Sequence, residues 1–263
     1  MREPGLDQAI RAAGGASELA RRLGISQPSV SNWERIPAER VTAIAEATGV
    51  DRALLRPDLF AERPAGAAVD ETDAARAREY ALLATLLART PDRELLARLA
   101  RLKVDASPLG LAHAALADAA AAAEATRVER EFFNLFIGIG RGEVMPYGSY
   151  YLTGFLHERP LARLRGDLAE LGIVRAEGQS EPEDHMAILC EVMAGFADGR
   201  FAAPPDGDPR LSEKHFFDRH LAPWARRFFV DLERAEAADF YRSVAALGRT
   251  FIEIETEAFA LPS

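Results

Sequence analysis

Helix-start signals recur along this chain of 263 residues, and no apolar/polar alternation runs long enough to make a strand. Tyr80, Leu83, Leu86 and Leu87 repeat at the spacing of one helix face. Thr90-Pro91 reads as a cap followed by proline at the first helical position, where its missing N–H costs nothing. Ser107-Pro108 repeats that signal ahead of a helix predicted to run toward Phe136. Its alanines, Ala119–Ala123, favour helix and let neighbours approach closely. Pro160–Leu171 is predicted as an amphipathic helix ending at Gly172. His215–Leu232 reads as helical on either side of Pro223, and Tyr241–Phe259 as the last helix. The expected fold class is therefore all-α.

Two stretches break the pattern. Residues 61–74 mix Pro, Gly and charge without periodicity and read as a linker, and 202–209 as a Pro/Gly loop. The expected division is 1–60, a linker, then 75–263. Charge follows it: residues 1–63 hold nine Arg and nine Asp/Glu, and the remainder 23 basic and 32 acidic residues. An acidic body repels nucleic acid and attracts cationic partners. No apolar run reaches the ~18 residues of a membrane helix, so no membrane insertion is expected. Met1–Gln8 lacks the apolar core of a secretory signal. Cys190 is the only cysteine, which excludes an intrachain disulfide. These features fit a cytoplasmic protein.

Residues 16–35 read A-S-E-L-A-R-R-L-G-I-S-Q-P-S-V-S-N-W-E-R. Small Ala20 permits a close helix crossing, and Gly24 permits a left-handed turn. Val30, with Leu19, Leu23 and Trp33, fills the wedge between two short helices, Ala16–Leu23 and Gln27–Arg35. Ser26 is a good cap for the second, with Pro28 in its first turn. This stretch, with I-P-A-E-R, A-T-G-V and L-R-P-D after it, resembles Cro-type helix-turn-helix proteins and more closely the YdaS-like group. The short W-E-R-I-P connection departs from the longer basic turn usual there. The resemblance implies base contacts from Gln27, Ser29, Ser31 and Asn32, and phosphate contacts from Arg22 and Arg35. The alternative is a protein-interaction module without DNA binding, which the zero net charge favours.

Three segments carry a second resemblance. Glu131–Tyr151 is E-F-F-N-L-F-I-G-I-G-R-G-E-V-M-P-Y-G-S-Y-Y, with Phe132, Leu135 and Phe136 at core spacing. Glu131 is expected to pair locally, Gly138–Gly142 to end the helix, and Pro146–Tyr151 to lay aromatics across a loop. Ser180–Met193 opens on S-E-P-E-D-H. Ser180 and Glu183 read there as a capping box, ahead of an apolar stripe of Met186, Leu189, Cys190 and Met193. His215–Phe229 is H-F-F-D-R-H-L-A-P-W-A-R-R-F-F, with Phe216, Phe217, Leu221, Trp224 and Phe228 mainly core. His220 is expected to hydrogen-bond across to another helix. In this order the segments resemble the TorD/DmsD family of chaperones, over residues 75–259.

That resemblance implies a TorD-like helical domain and a partner: an apo-molybdoenzyme catalytic subunit, formate dehydrogenase among the candidates, or its twin-arginine leader. It implies client-peptide contacts from Asp184, His185, Glu181, Tyr147 and Tyr151. A carboxylate such as Asp184 pairs strongly with arginine, and His185 can bond peptide backbone. The other reading of the pair makes Asp184 a helix cap and His185 a structural histidine. Gly148 departs from the acidic residue common in the family.

Catalytic and metal constellations are poor. The five histidines form no H-E-x-x-H, and no G-x-S-x-G or Walker motif exists. Guanine nucleotide is proposed for the family, but no strand precedes Gly138–Gly142, which argues against a phosphate cradle. No metal or cofactor is expected. The leading function is a non-enzymatic maturation chaperone with a DNA-binding module, able to form a homodimer. The alternative is a transcriptional regulator whose larger domain senses a client.

Overall fold

The computed structural model describes residues 3–37, 40–56, 70–102, 104–175, 180–201 and 212–261. Among them every regular element is a helix, and an isolated bridge joins Tyr147 to His185. Most of the expected linker, the 202–209 loop, and parts of the I-P-A-E-R and L-R-P-D segments lie outside the described residues. The chain divides into two compact units: Met1–Ala68 with Arg165–Gln179 and Phe201–Leu211, and Val69–Leu164 with Ser180–Arg200 and Ser212–Ser263.

The first unit opens with α1 (Pro4–Ala13), α2 (Ala16–Arg22), α3 (Gln27–Ser31), α4 (Val41–Thr48) and α5 (Arg52–Leu55). Leu6, Leu19, Val30, Ile36, Ile44 and Leu55 are fully buried in one core. Half-buried Leu23 and Trp33 pack against it, filling the expected wedge. Gly24 takes φ +65°, the left-handed turn. The side chain of Ser26 accepts from the N–H of Ser29 and caps α3. Helix α3 stops at Ser31 instead of continuing to Arg35. Burying Trp33 and Ile36 pulls the chain out of the helix, and Ile36 precedes a proline, which disfavours helical backbone.

The second unit is built on α6 (Glu71–Ala88), α7 (Arg93–Leu99), α8 (Pro108–Ala122) and α9 (Ala125–Phe132). A π-helical turn, Phe133–Ile137, follows. Next come α10 (Gly148–Thr153), α11 (Arg159–Glu170), of which only the part up to Leu164 belongs to this unit, α12 (Met186–Ala197), α13 (Glu213–His220), α14 (Ala225–Arg234) and α15 (Phe240–Ala260). Helix α12 is buried on nearly every face, as an all-round apolar helix must be, and packs along α6. Tyr80, Leu83, Leu86 and Leu87 face inward as the spacing predicts. Helix α15 lies against α14 so closely that a Cβ on Gly248 would stand 2.2 Å from the Phe229 ring. Arg76 binds Asp73, Glu213 and Glu255, tying α6 to α13 and α15.

Several element boundaries differ from expectation. Helix α6 starts at Glu71, inside the stretch read as linker, with Asp70 as its cap. Asp92, not Thr90, caps α7, its carboxylate accepting from Leu95 N–H at 2.7 Å. A carboxylate at a helix N-terminus gains from the dipole as well as the hydrogen bond. The helix from Ser107-Pro108 does not run to Phe136. It ends at Ala122, Ala123 is extended, and α9 begins at Ala125. Glu131 accepts the N–H groups of Asp239, Phe240 and Tyr241 at 2.6–3.1 Å, capping α15 from more than a hundred residues away. Its expected local pairing gives way to that role.

Candidate functional site

The E-P-E-D-H segment meets Pro146–Ser149 as a short antiparallel clasp. Gly148 N–H donates to Asp184 carbonyl oxygen at 2.9 Å, and Met186 N–H to Pro146 carbonyl oxygen at 2.8 Å. The Asp184 carboxylate then accepts from Ser149 N–H at 2.7 Å through Oδ2. Asp184 thus caps α10, a different helix from the one it precedes. The predicted loop 146–151 is helical from Gly148 because that cap holds its first turn.

Helix α12 begins at Met186, so the Ser180/Glu183 capping box does not form. His185 is the cap, its Nδ1 accepting from Ala187 N–H at 3.1 Å. An imidazole nitrogen that accepts carries no proton, and burial pushes the His185 pKa down to about 4. Tyr147 lays its ring edge-on to His185, with centroids 5.2 Å apart, and donates its hydroxyl to Glu181 at 2.5 Å. Burial, and then Glu181, raise the Tyr147 pKa.

Of the five expected client-binding residues, Tyr147, Glu181, Asp184 and His185 therefore stand together. Tyr151 faces a different cavity, of about 250 Å³, with Glu143, Tyr150 and Asp231. Its ring stacks on Trp224 at 5.3 Å, and its hydroxyl bonds Asp231.

Asp184 also lines a cavity of about 60 Å³ with Gly148, Leu152, Leu189, His220 and Trp224. Trp224 is fully buried and donates its indole N–H to the His220 carbonyl oxygen at 2.7 Å. A Cβ at position 148 would stand 3.1 Å from that indole nitrogen, so the acidic residue usual here has no room without moving Trp224. Ser149 is the participant that sequence reasoning missed. It lay inside the quoted P-Y-G-S-Y segment, but only the fold sets it against Asp184. Cys190, fully buried in α12, has its thiol pKa raised by burial and is inert.

In the first unit the candidate DNA face is exposed, though its groups have local partners. Gln27 donates to Ser31 Oγ, and Ser26 and Ser29 share a hydroxyl pair, each at 2.7 Å. Asn32 follows α3 as its C-cap. Arg22 donates to Glu18 and to the Ala47 carbonyl oxygen, and Arg35 pairs with Glu3 at 2.7 Å. Exposed pairs of this kind are worth about 0–1 kcal/mol, so a phosphate could displace the carboxylates.

Comparison with known proteins gives two separate family matches. Residues 103–230 match a family model described as nitrate reductase delta subunit, and residues 6–64 one described as bacterial toxin YdaS. Chaperone protein TorD of Vibrio cholerae is 28% identical over 127 residues, 47% of this chain and 58% of TorD. The probable Tat proofreading chaperone DmsD of Haemophilus influenzae is 31% identical over 122 residues, 46% of this chain and 56% of DmsD. The match thus spans less than two thirds of either relative. A solved Archaeoglobus fulgidus structure, provisionally described as a redox enzyme maturation protein, covers 68% of this chain and 93% of its own. Its TM-score is 0.47 at 19% identity.

Proposed function

We propose that this TorD/DmsD-like and YdaS-like chain is a cytoplasmic, non-enzymatic chaperone for a molybdoenzyme. It binds the apo catalytic subunit, formate dehydrogenase being one client class, or the leader peptide in front of it. The domains in this reading are 1–60 and 75–263, and the N-terminal one binds DNA. The observation that carries the reading is the 103–230 family match, which contains Glu131–Tyr151, the Asp184–His185 clasp and His215–Phe229 in one stretch. The client approaches Tyr147, Glu181, Asp184 and His185, with Tyr151 at its margin. The Glu181 carboxylate already accepts the Tyr147 hydroxyl, and its lone pairs allow it to accept a client donor beside it.

Affinity capture of the full-length tagged chain from native cytoplasm, with partners identified by mass spectrometry, tests this. The expected partner is a molybdoenzyme catalytic subunit lacking its cofactor. Recovery of none, while such enzymes are being made, overturns the chaperone reading. The second reading, a regulator whose larger domain senses a client, is favoured by the YdaS match together with the exposed Gln27–Asn32 face. It predicts sequence-selective DNA binding that weakens steeply with salt.

A further inference from the structure

Several arginines of the larger unit sit on carboxylates, as Arg76, Arg226 and Arg249 do on Glu255, Glu253 and Glu233. Arg141, Arg227 and Arg234 differ: all are exposed, and among the described residues they form no ion pair. They meet at one place. The Arg141 guanidinium lies over the Tyr150 ring at 5.7 Å and that of Arg227 over the Tyr151 ring at 5.4 Å. The two rings stand edge to face with centroids 5.9 Å apart, and Arg234 lines the 250 Å³ cavity with both. Stacking holds a guanidinium against a ring and leaves its N–H edge free for a carboxylate. The acids already in the cavity wall are engaged. Glu143 accepts the N–H groups of Glu236 and Ala237, and Asp231 accepts the Tyr151 hydroxyl.

Arg141 shares a tight turn with an apolar tip. Gly138 N–H donates to the Phe133 carbonyl oxygen at 2.7 Å and Val144 N–H to that of Leu135 at 2.8 Å, which pins the turn at both ends. Between them Ile139 is 99% exposed, and Phe133 and Ile137 before it are exposed too. Arginine, tyrosine and large apolar side chains together are the composition of a protein interface rather than of a solvated face.

We propose that this surface docks an acidic, partly apolar segment of a partner protein, with its carboxylates on Arg141, Arg227 and Arg234 and one side chain in the cavity. Charge selects this occupant. A twin-arginine leader is excluded, because its arginines would meet three more. A small anion uses the surface poorly, since the guanidiniums sit on different rings and the exposed isoleucines give it nothing. An acidic segment offers several carboxylates in a row, and Val144 and Met145 line the cavity with apolar wall for a side chain between them. The net negative charge of the larger part does not prevent docking. Exposed charges more than about 8 Å away are screened at physiological salt, so the local arginines decide at contact.

The test titrates the full-length protein with acetylated octapeptide amides in which leucine alternates with glutamate, with glutamine or with lysine. The glutamate peptide should bind saturably and lose affinity as salt rises, and the other two should not bind. R141Q, R227Q and R234Q should each weaken it about three- to ten-fold, the loss of one charge-assisted contact. I139S should weaken it about three-fold through lost apolar contact. All four side chains are exposed, so circular dichroism should show the wild-type fold in each variant. Equal binding of the glutamine peptide, or wild-type affinity in the triple arginine variant, overturns the surface. Inorganic phosphate binding as tightly as the peptide would make this a small-anion site and overturn the docking of a protein. Sedimentation supplies the last arm: self-association that the triple variant abolishes would seat a second copy of this chain there and overturn a foreign partner.

Discussion

Asp184 holds two jobs in one carboxylate, and the jobs separate by substitution. Oδ2 caps α10 through Ser149 N–H, while Oδ1 has no partner. Asp184→Ala should therefore lower stability by about 1–2 kcal/mol, the usual cost of a lost cap, and Asp184→Asn by far less. Thermal melts of the two variants decide this; equal losses would mean that the charge itself holds the fold. His185 has a pH signature. An unfolded histidine takes its proton near 6.5, but buried His185 does so only near 4. Its folded pKa is depressed, so the unfolded state binds the extra proton between those values. Its contribution is therefore complete above pH ~6.5 and is lost on acidification toward 4, by about 3 kcal/mol in all. Denaturant midpoints measured from pH 7 to 4.5 should fall less steeply in His185→Asn, which retains a capping side chain. Parallel slopes would remove His185 from the account. Both residues were legible as a pair at a helix start. Which helix each one caps was not, because that depends on a strand-like clasp with residues 35 positions away.

The longer helices of the larger part were read from spacing, their ends were not, and the short helix Gly148–Thr153 was read as loop. Thr90-Pro91 has the right residue types, but Asp92 three residues before Leu95 supplies a charged acceptor and takes the cap. The continuous alanine run predicted one helix past Ala123. Nothing local marks the break there; the separate helix after it carries Glu131, which reaches the first turn of α15. That cap predicts that Glu131→Ala, which leaves buried N–H groups of α15 unsatisfied, costs about 2–3 kcal/mol. Its unfolding midpoint measures this, and a change below ~0.5 kcal/mol would mean that water satisfies those groups instead. At the α14–α15 crossing Gly248 permits contact with Phe229, and Gly248→Ala should cost about 1–3 kcal/mol through overpacking. A neutral outcome would show that Phe229 can shift without loss.

For the whole molecule, the charge division and the two sequence resemblances pointed to the same two-part organisation. The family matches fall on 6–64 and 103–230. Each part makes a separate prediction. If Arg22 and Arg35 contact phosphates, DNA affinity should fall linearly with the logarithm of salt, and replacing either should reduce that slope by about 0.9. Filter binding across a salt series reads this directly, and an unchanged slope would confine both arginines to their bonds with Glu18, Ala47 and Glu3. Under the proposed function, the net acidic charge of the larger part favours encounter with a cationic polypeptide.

The most direct measurement compares the affinity of the full-length protein for one oxidoreductase catalytic subunit with and without its molybdenum cofactor, by calorimetry. A maturation chaperone must bind the apo form more tightly, by about ten-fold or more, and release the loaded one. Equal affinity for the two forms would contradict the central claim.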